Sequence, residues 1–172
     1  HMIYPQLNSG ALNNTRQQPK PNTEPHVAAR TAPQTTSHLS QDNAADIKHD
    51  LIALGAQSSA AKQEAENSMW EIKHAMEKKD LRALKTAIEK SNKRIQSLNQ
   101  NYDAVSLKSS EVAAAREKLI KDNNLQIEMG NIILSSSPDR QKFEELQKKR
   151  SNSQKMVEIE MEALWIKANT AS

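Results

Sequence analysis

Three ionisable residues near the start of the first helical segment have types and spacing that could serve catalysis or metal binding. Asp46 and Asp50 lie four residues apart, and His49 lies between them. Carboxylate and imidazole groups act as general acids, general bases or metal ligands, but only where they converge in a pocket. The chain has no cysteine, no HExxH motif and no glycine-rich phosphate loop. We therefore interpret the group as a surface acidic pair beside a surface histidine, and predict no enzyme activity, cofactor or metal.

A second group has a charge pattern suited to anionic surfaces. In an antiparallel bundle the first and third turns lie at the same end, which gathers six cations and one leucine: Lys78, Lys79, Leu81, Arg82, Lys85, Arg140 and Lys142. Each cation close to an anionic membrane contributes about 1 kcal/mol. This tip is our predicted membrane- or partner-binding site. The plainer alternative is that lysines at a helix carboxyl end simply complement the helix dipole.

Four segments with helical apolar spacing must position these groups. The first has a stripe at intervals of three and four residues, interrupted at Ser58: Ile47, Leu51, Leu54, Ala61, Ala65, Met69, Ile72 and Met76. We expect a kink or break at Gly55, because glycine costs about 1 kcal/mol relative to alanine inside a helix. Asp80 is expected to cap the second segment. Five methionines have helical spacing, which favours core packing over a binding surface, since thioethers fill irregular holes: Met69, Met76, Met129, Met156 and Met161.

The other three segments complete the pattern. The second has a heptad seam from Leu81 to Tyr102, the third begins near residues 109–111, and the fourth is expected to start at Ser137. The fourth segment directs an apolar set toward the core, with Arg150 and Ser153 interrupting it: Phe143, Leu146, Val157, Met161, Leu164 and Ala168. Short turns between four helices predict an all-α, elongated antiparallel four-helix bundle with up-down-up-down topology over residues 42–172.

Residues 1–41 have a different composition. Five of the six prolines lie there among Asn, Gln, Ser and Thr, after a His1–Met2 pair typical of a cloning scar. Because this stretch has few large apolar side chains, their burial cannot offset the entropy lost when the backbone is ordered. We therefore predict a disordered polar arm. Positive and negative charges are interspersed in the remaining chain, and the net charge is only +3. That distribution argues against nucleic acid as a partner.

The arm resembles the uncleaved secretion region of bacterial type III secreted proteins. The resemblance rests on Met2-Ile3-Tyr4-Pro5-Gln6-Leu7-Asn8-Ser9-Gly10 and on the polar, proline-containing stretch that follows. It implies a secretion signal, an extended region that binds a secretion chaperone, and helical domains after it. The bundle with its basic tip is also similar to the four-helix membrane-localisation domains of some bacterial effectors and toxins, which implies docking on acidic phospholipid through Lys78, Lys79, Leu81, Arg82, Lys85, Arg140 and Lys142.

These observations favour one function and leave an alternative open. The first is the amino-terminal targeting region of a bacterial virulence protein, secreted into the host cell, whose bundle docks on acidic host membrane or on a protein. The helical stripe that runs almost to Ser172 favours a larger protein of which this is one part. The alternative is a structural or regulatory coiled-coil protein of the bacterial cytoplasm that self-associates through the seam from Leu81 to Tyr102.

Overall fold

The computed structural model describes residues 38–170 and confirms an all-α fold. Its four helices are α1 (Ala44–Glu77), α2 (Leu81–Ala104), α3 (Ser110–Leu134) and α4 (Arg140–Thr170). Each helix packs against its sequence neighbours, and α1 also packs against α4, so the four form a closed antiparallel ring as predicted. The predictions for residues 1–37 lie outside the described residues.

The ends of the helices follow from their capping residues. Asp80 accepts a hydrogen bond from the Ala83 amide at 3.0 Å and caps α2, as predicted. Asp139 caps α4 by accepting from the Lys142 amide at 3.0 Å. The fourth helix therefore begins at Arg140, and the prediction of Ser137 as its cap and Pro138 as its first residue was wrong. Helix α1 is not broken at Gly55 and continues over 34 residues, about 50 Å at 1.5 Å per residue.

The end of the bundle that carries the α2–α3 connection has a well-packed core. We call this the proximal half, and the half with the 78–80 and 135–139 turns the distal half. The main core cluster lies in the proximal half and includes Ile47, Leu51, Leu54, Ala61, Leu98, Tyr102, Leu107, Val112, Ala115, Leu119, Ile120, Val157, Leu164 and Ala168. Each fully buried leucine or isoleucine contributes about 1.5–3 kcal/mol of transfer free energy, so most of the apolar stabilisation arises here.

The distal half buries fewer apolar side chains. Outside the main cluster, the buried apolar residues from the middle of the bundle to its distal end are Ala65, Ala75, Ala87, Ile88, Ile95, Leu125 and Leu146. Gly130 belongs to the same region, and a Cβ atom there would lie 2.6 Å from the Asn92 amide oxygen. Helices α2 and α3 therefore approach closely at this level, and the distal half has less apolar volume to bury than the proximal half.

Asparagines join α2 to α3 along their contact. The Asn92 side-chain amide donates to the Asn131 side-chain oxygen at 3.0 Å. Asn99 donates to the Asn124 oxygen at 3.0 Å and accepts from the Asn123 amide at 2.9 Å. Asn92 and Asn99 are one heptad apart, as are Asn124 and Asn131, so the two bonded groups repeat along an antiparallel pair of helices. We call this arrangement the asparagine ladder.

Candidate functional site

The apolar stripe of α1 is buried in one half of the bundle and uncovered in the other. In the proximal half Ile47, Leu51 and Leu54 are at most 2% exposed. In the distal half the same stripe continues as Met69, Ile72 and Met76, and the two methionines are 57% and 61% exposed. The prediction that the methionines fill the core was therefore wrong for Met69 and Met76. Ser68 and Ala75 remain buried at this level, so the covered side of α1 shifts by one residue relative to the stripe, and periodicity alone did not predict that shift.

The exposed part of the stripe forms a shallow, open groove of about 450 Å³ along the surface of α1. Its lining consists of Met69, Ile72, Lys73, Met76 and Glu77. The lining is almost wholly apolar in area, with a cation and an anion four residues apart at the rim. We call these five residues the α1 groove.

Trp70 lies next to this groove on the solvent side of α1. It is 62% exposed, and its ring stacks on His74 with the ring centroids 4.6 Å apart. The indole of Trp70 extends the apolar surface around the helix. His74 contributes a ring contact within its own helix.

Asp50 is the most tightly bound ionisable group of the proximal half. Its carboxylate is fully buried and accepts hydrogen bonds from the Lys108 amide at 2.9 Å and from the Ser109 amide and hydroxyl, both at 2.7 Å. The His49 Nδ1 atom lies 3.0 Å from the same carboxylate. The interpretation of Asp46 and Asp50 as a surface acidic pair was wrong for Asp50. Its partners come from the α2–α3 connection, and the carboxylate fastens that connection to α1.

Further contacts strengthen this end. The Ser40 amide donates to the Lys108 carbonyl at 2.8 Å, and the Ser110 amide donates to the Ser40 carbonyl at 2.9 Å. On α4, Lys167 forms an ion pair with Asp42, and this hydrogen bond raises the pKa of Lys167. These contacts join the segment before α1 and the end of α4 to the same point of the bundle. Together these contacts hold the segment before α1, the α2–α3 connection and the end of α4 in place at the proximal end.

A polar layer separates the two halves. Arg150 of α4 lies 3.5 Å from Asp122 of α3, and both side chains are largely buried. Burial raises the pKa of Asp122, and Arg150 and a hydrogen bond from Ser153 oppose this change. Nearer the distal end, burial lowers the pKa of Arg94 on α2 to about 9, with the charge of Glu64 opposing it, so this guanidinium keeps its charge at neutral pH.

Some buried polar atoms of the bundle have no partner. Among the described residues, the Ser68 hydroxyl, Asp122 Oδ1 and Gln126 Oε1 are buried without a hydrogen bond. Each such atom costs about 1–3 kcal/mol. The polar middle that Arg150 and Ser153 indicated in the sequence therefore lies inside the bundle, and it interrupts the apolar core between its two halves.

The predicted tip residues do come together at the distal end. Lys78, Lys79, Leu81, Arg82, Arg140 and Lys142 are exposed there, and Lys85 is half-buried. Acidic residues alternate with these cations, including the capping groups Asp80 and Asp139. The tip is therefore a mixed-charge surface with an exposed leucine, and lipid or partner binding by it stays a prediction.

The heptad seam of α2 is used inside the bundle. Ile88, Ser91, Ile95, Leu98 and Tyr102 are all buried against the other helices, and only its first position, Leu81, is strongly exposed. The predicted self-association through this seam was therefore wrong, because the seam already packs against helices of its own chain.

A second apolar surface lies on the outer side of α4 and had no counterpart in the sequence interpretation. Met156, Ile159 and Ile166 are each more than 60% exposed. With Ala163 they recur at intervals of three and four residues on the side opposite Val157 and Leu164. The predicted core position of Met156 was therefore wrong. The signal was present as a second helical stripe in the same segment.

The fold defines an all-helical bundle with an apolar groove and a mixed-charge end, and comparison with known proteins adds a family. The chain belongs to the family described as "Uncharacterised lipoprotein PM1805", whose model matches residues 48–169. The match runs through all four helices, from the first turns of α1 to the end of α4. No curated protein and no solved structure matches the chain.

The family corrects the predicted function and localisation. A lipoprotein is held at a membrane by a covalently attached lipid. The predictions of a virulence protein secreted into the host cell, and of the bacterial cytoplasm as the alternative location, were therefore wrong. Among the described helices, none is long and apolar enough to cross a membrane.

Proposed function

We propose that this bundle is the protein-binding module of a membrane-anchored lipoprotein, without enzymatic activity of its own. Its binding site is the α1 groove, and its ligand is an amphipathic helix of a protein partner. The observation that carries this proposal is the exposure of Met69 and Met76 on a stripe that is otherwise buried.

Exposing these apolar side chains to water is unfavourable in free energy. Apolar surface contributes about 25 cal/mol per Å² when it is buried, and contiguous exposed apolar patches commonly mark interaction sites. The exposed residues of the groove follow one another at the three- and four-residue spacing of a helix face. A partner helix with the same spacing covers them by packing its side chains between theirs.

The residue types of the groove define the ligand further. Two of its three apolar residues are methionines, which adapt to a partner's shape. Lys73 and Glu77 at the rim favour a partner helix that carries charges of both signs beside its apolar stripe. The ligand is therefore an amphipathic helix of mixed charge.

Site-specific photo-crosslinking in the producing cells tests the proposal. A photoreactive amino acid is placed at Met69 or Met76, and at Ile159 on α4 as a control of equal exposure. We expect one defined protein adduct, identified by mass spectrometry, from both groove positions and severalfold less of it from Ile159. The adduct at position 69 should disappear when Met76 is also replaced by Asp. Equal labelling from all three positions, or no adduct from the groove, would contradict the proposal.

A further inference from the structure

We infer that the partner helix in the α1 groove is the α1 helix of a second copy of this chain. The two copies form an antiparallel, two-fold symmetric dimer through residues 69–77. This inference rests on the proposed function, because it names the occupant of the same groove.

The charges at the rim are self-complementary in this arrangement. Lys73 and Glu77 lie one turn apart and border the same side of the groove. In a two-fold antiparallel pair the same side of each helix meets its counterpart, and an axis beside Ala75 places Lys73 of each copy opposite Glu77 of the other. One surface thus forms two equivalent ion pairs.

The apolar residues also fit the two-fold axis. Met76 of each copy lies next to the axis, so the two thioethers pack against one another. Met69 lies farther along and reaches the 78–80 turn of the other copy, where Leu81 is 62% exposed. Met69 of each copy thus contacts Leu81 of the other copy, and both side chains are exposed in the single chain.

The outer stripe of α4 does not offer the same self-complementarity. Charged residues beside it already bind within the chain. Glu160 pairs with Lys118 at 2.6 Å, and Lys167 pairs with Asp42 and lies 3.7 Å from Glu111. A contact between copies on this side would compete with those ion pairs, whereas Lys73 and Glu77 are exposed.

Charge reversal tests the dimer. Sedimentation velocity of the full chain over a range of concentrations should show a monomer–dimer equilibrium. Lys73→Glu and Glu77→Lys each turn two attractive pairs into repulsive ones, and we expect each to raise the dimer Kd at least about tenfold. The double variant K73E/E77K should restore the original Kd. An equimolar mixture of the two single variants should also dimerise, because each pair again joins opposite charges.

Lys62 and Glu66 provide the matched control, because they are an exposed lysine and glutamate at the same spacing on α1 outside the groove. Reversing either should leave the Kd unchanged, and circular dichroism should show the same helix content in all variants. A chain that stays monomeric at all concentrations overturns the dimer, as does a dimer that is insensitive to reversal at 73 and 77. A groove adduct with another protein, together with a monomeric chain, supports the binding function and overturns the second copy as its ligand.

Discussion

The proximal and distal halves of the bundle are built from the same helices but bury different side chains. The proximal half encloses leucine, isoleucine, valine and tyrosine around Tyr102, and Asp50 fastens its connecting loop. The distal half encloses fewer buried apolar side chains, among them Ala75, Ala87, Ile88 and Leu146, and leaves the methionines of α1 exposed. The polar layer around Asp122 and Arg150 lies between them. The comparison indicates that most of the buried apolar side chains lie at one end and the proposed binding surface at the other.

Removing the Asp50 carboxylate should have the largest effect on stability. In Asp50→Ala, the Lys108 and Ser109 amides and the Ser109 hydroxyl lose their acceptor in a buried site. We expect the free energy of unfolding to fall by about 3–5 kcal/mol, measured by urea denaturation followed by circular dichroism. Asp46→Ala on the same helix is the control and should cost less than about 1 kcal/mol. Equal losses of unfolding free energy in the two variants would contradict a particular contribution of the Asp50 hydrogen bonds to stability.

Truncating one apolar side chain in each half should show directly that the two halves contribute differently to stability. Leu98 is fully buried in the proximal core, and Leu98→Ala should destabilise the fold by about 2–5 kcal/mol. Met76 is 61% exposed, and Met76→Ala should change stability by less than about 0.5 kcal/mol at protein concentrations where the chain is monomeric. The measurement is again chemical denaturation. A loss at Met76 as large as at Leu98 would mean that the distal stripe is covered in solution.

The two helical glycines should respond to alanine with opposite signs. A Cβ at Gly55 meets no atom within 4 Å outside its own helix, so Gly55→Ala should stabilise α1 by about 0.5–1 kcal/mol. A Cβ at Gly130 would lie 2.6 Å from Asn92 Oδ1 and 3.1 Å from Ile88 Cγ2. Gly130→Ala should therefore cost about 1 kcal/mol in spite of its better helix propensity. Thermal unfolding of both variants decides this, and a stabilising Gly130→Ala would show that α2 and α3 can separate at no cost.

Much of the fold could be predicted because helix formation is a local property. Apolar spacing predicted all four helices, and the capping chemistry of Asp80 predicted the start of the second. The Asp50 site could not be predicted in the same way. Its spacing from Asp46 is that of any surface acidic pair, and its hydrogen-bond donors lie 58 and 59 residues further along the chain.

The proposed binding surface could not be predicted from the sequence for a related reason. Periodicity predicts which side of α1 is apolar, but Met69 and Met76 have the spacing of core residues whether or not another helix covers them. Deciding between core and groove requires knowing which side chains face them at that level of the bundle. Those residues are small or polar in the distal half, which only the assembled helices reveal. The family description, in turn, corrected a localisation that arm composition alone had suggested wrongly.

The asparagine ladder has a consequence for how α2 and α3 find their alignment. A leucine seam tolerates sliding by one heptad, because each leucine meets another after the slip. Sliding α2 by one heptad could bring Asn99 beside Asn131, but Asn123, which is buried, would then lose Asn99 as its partner. An unpaired buried amide costs about 1–3 kcal/mol. The asparagine ladder thus fixes a single alignment of the α2–α3 hairpin through two separate hydrogen-bonded groups. It does so in a region where the few buried apolar side chains specify the alignment weakly.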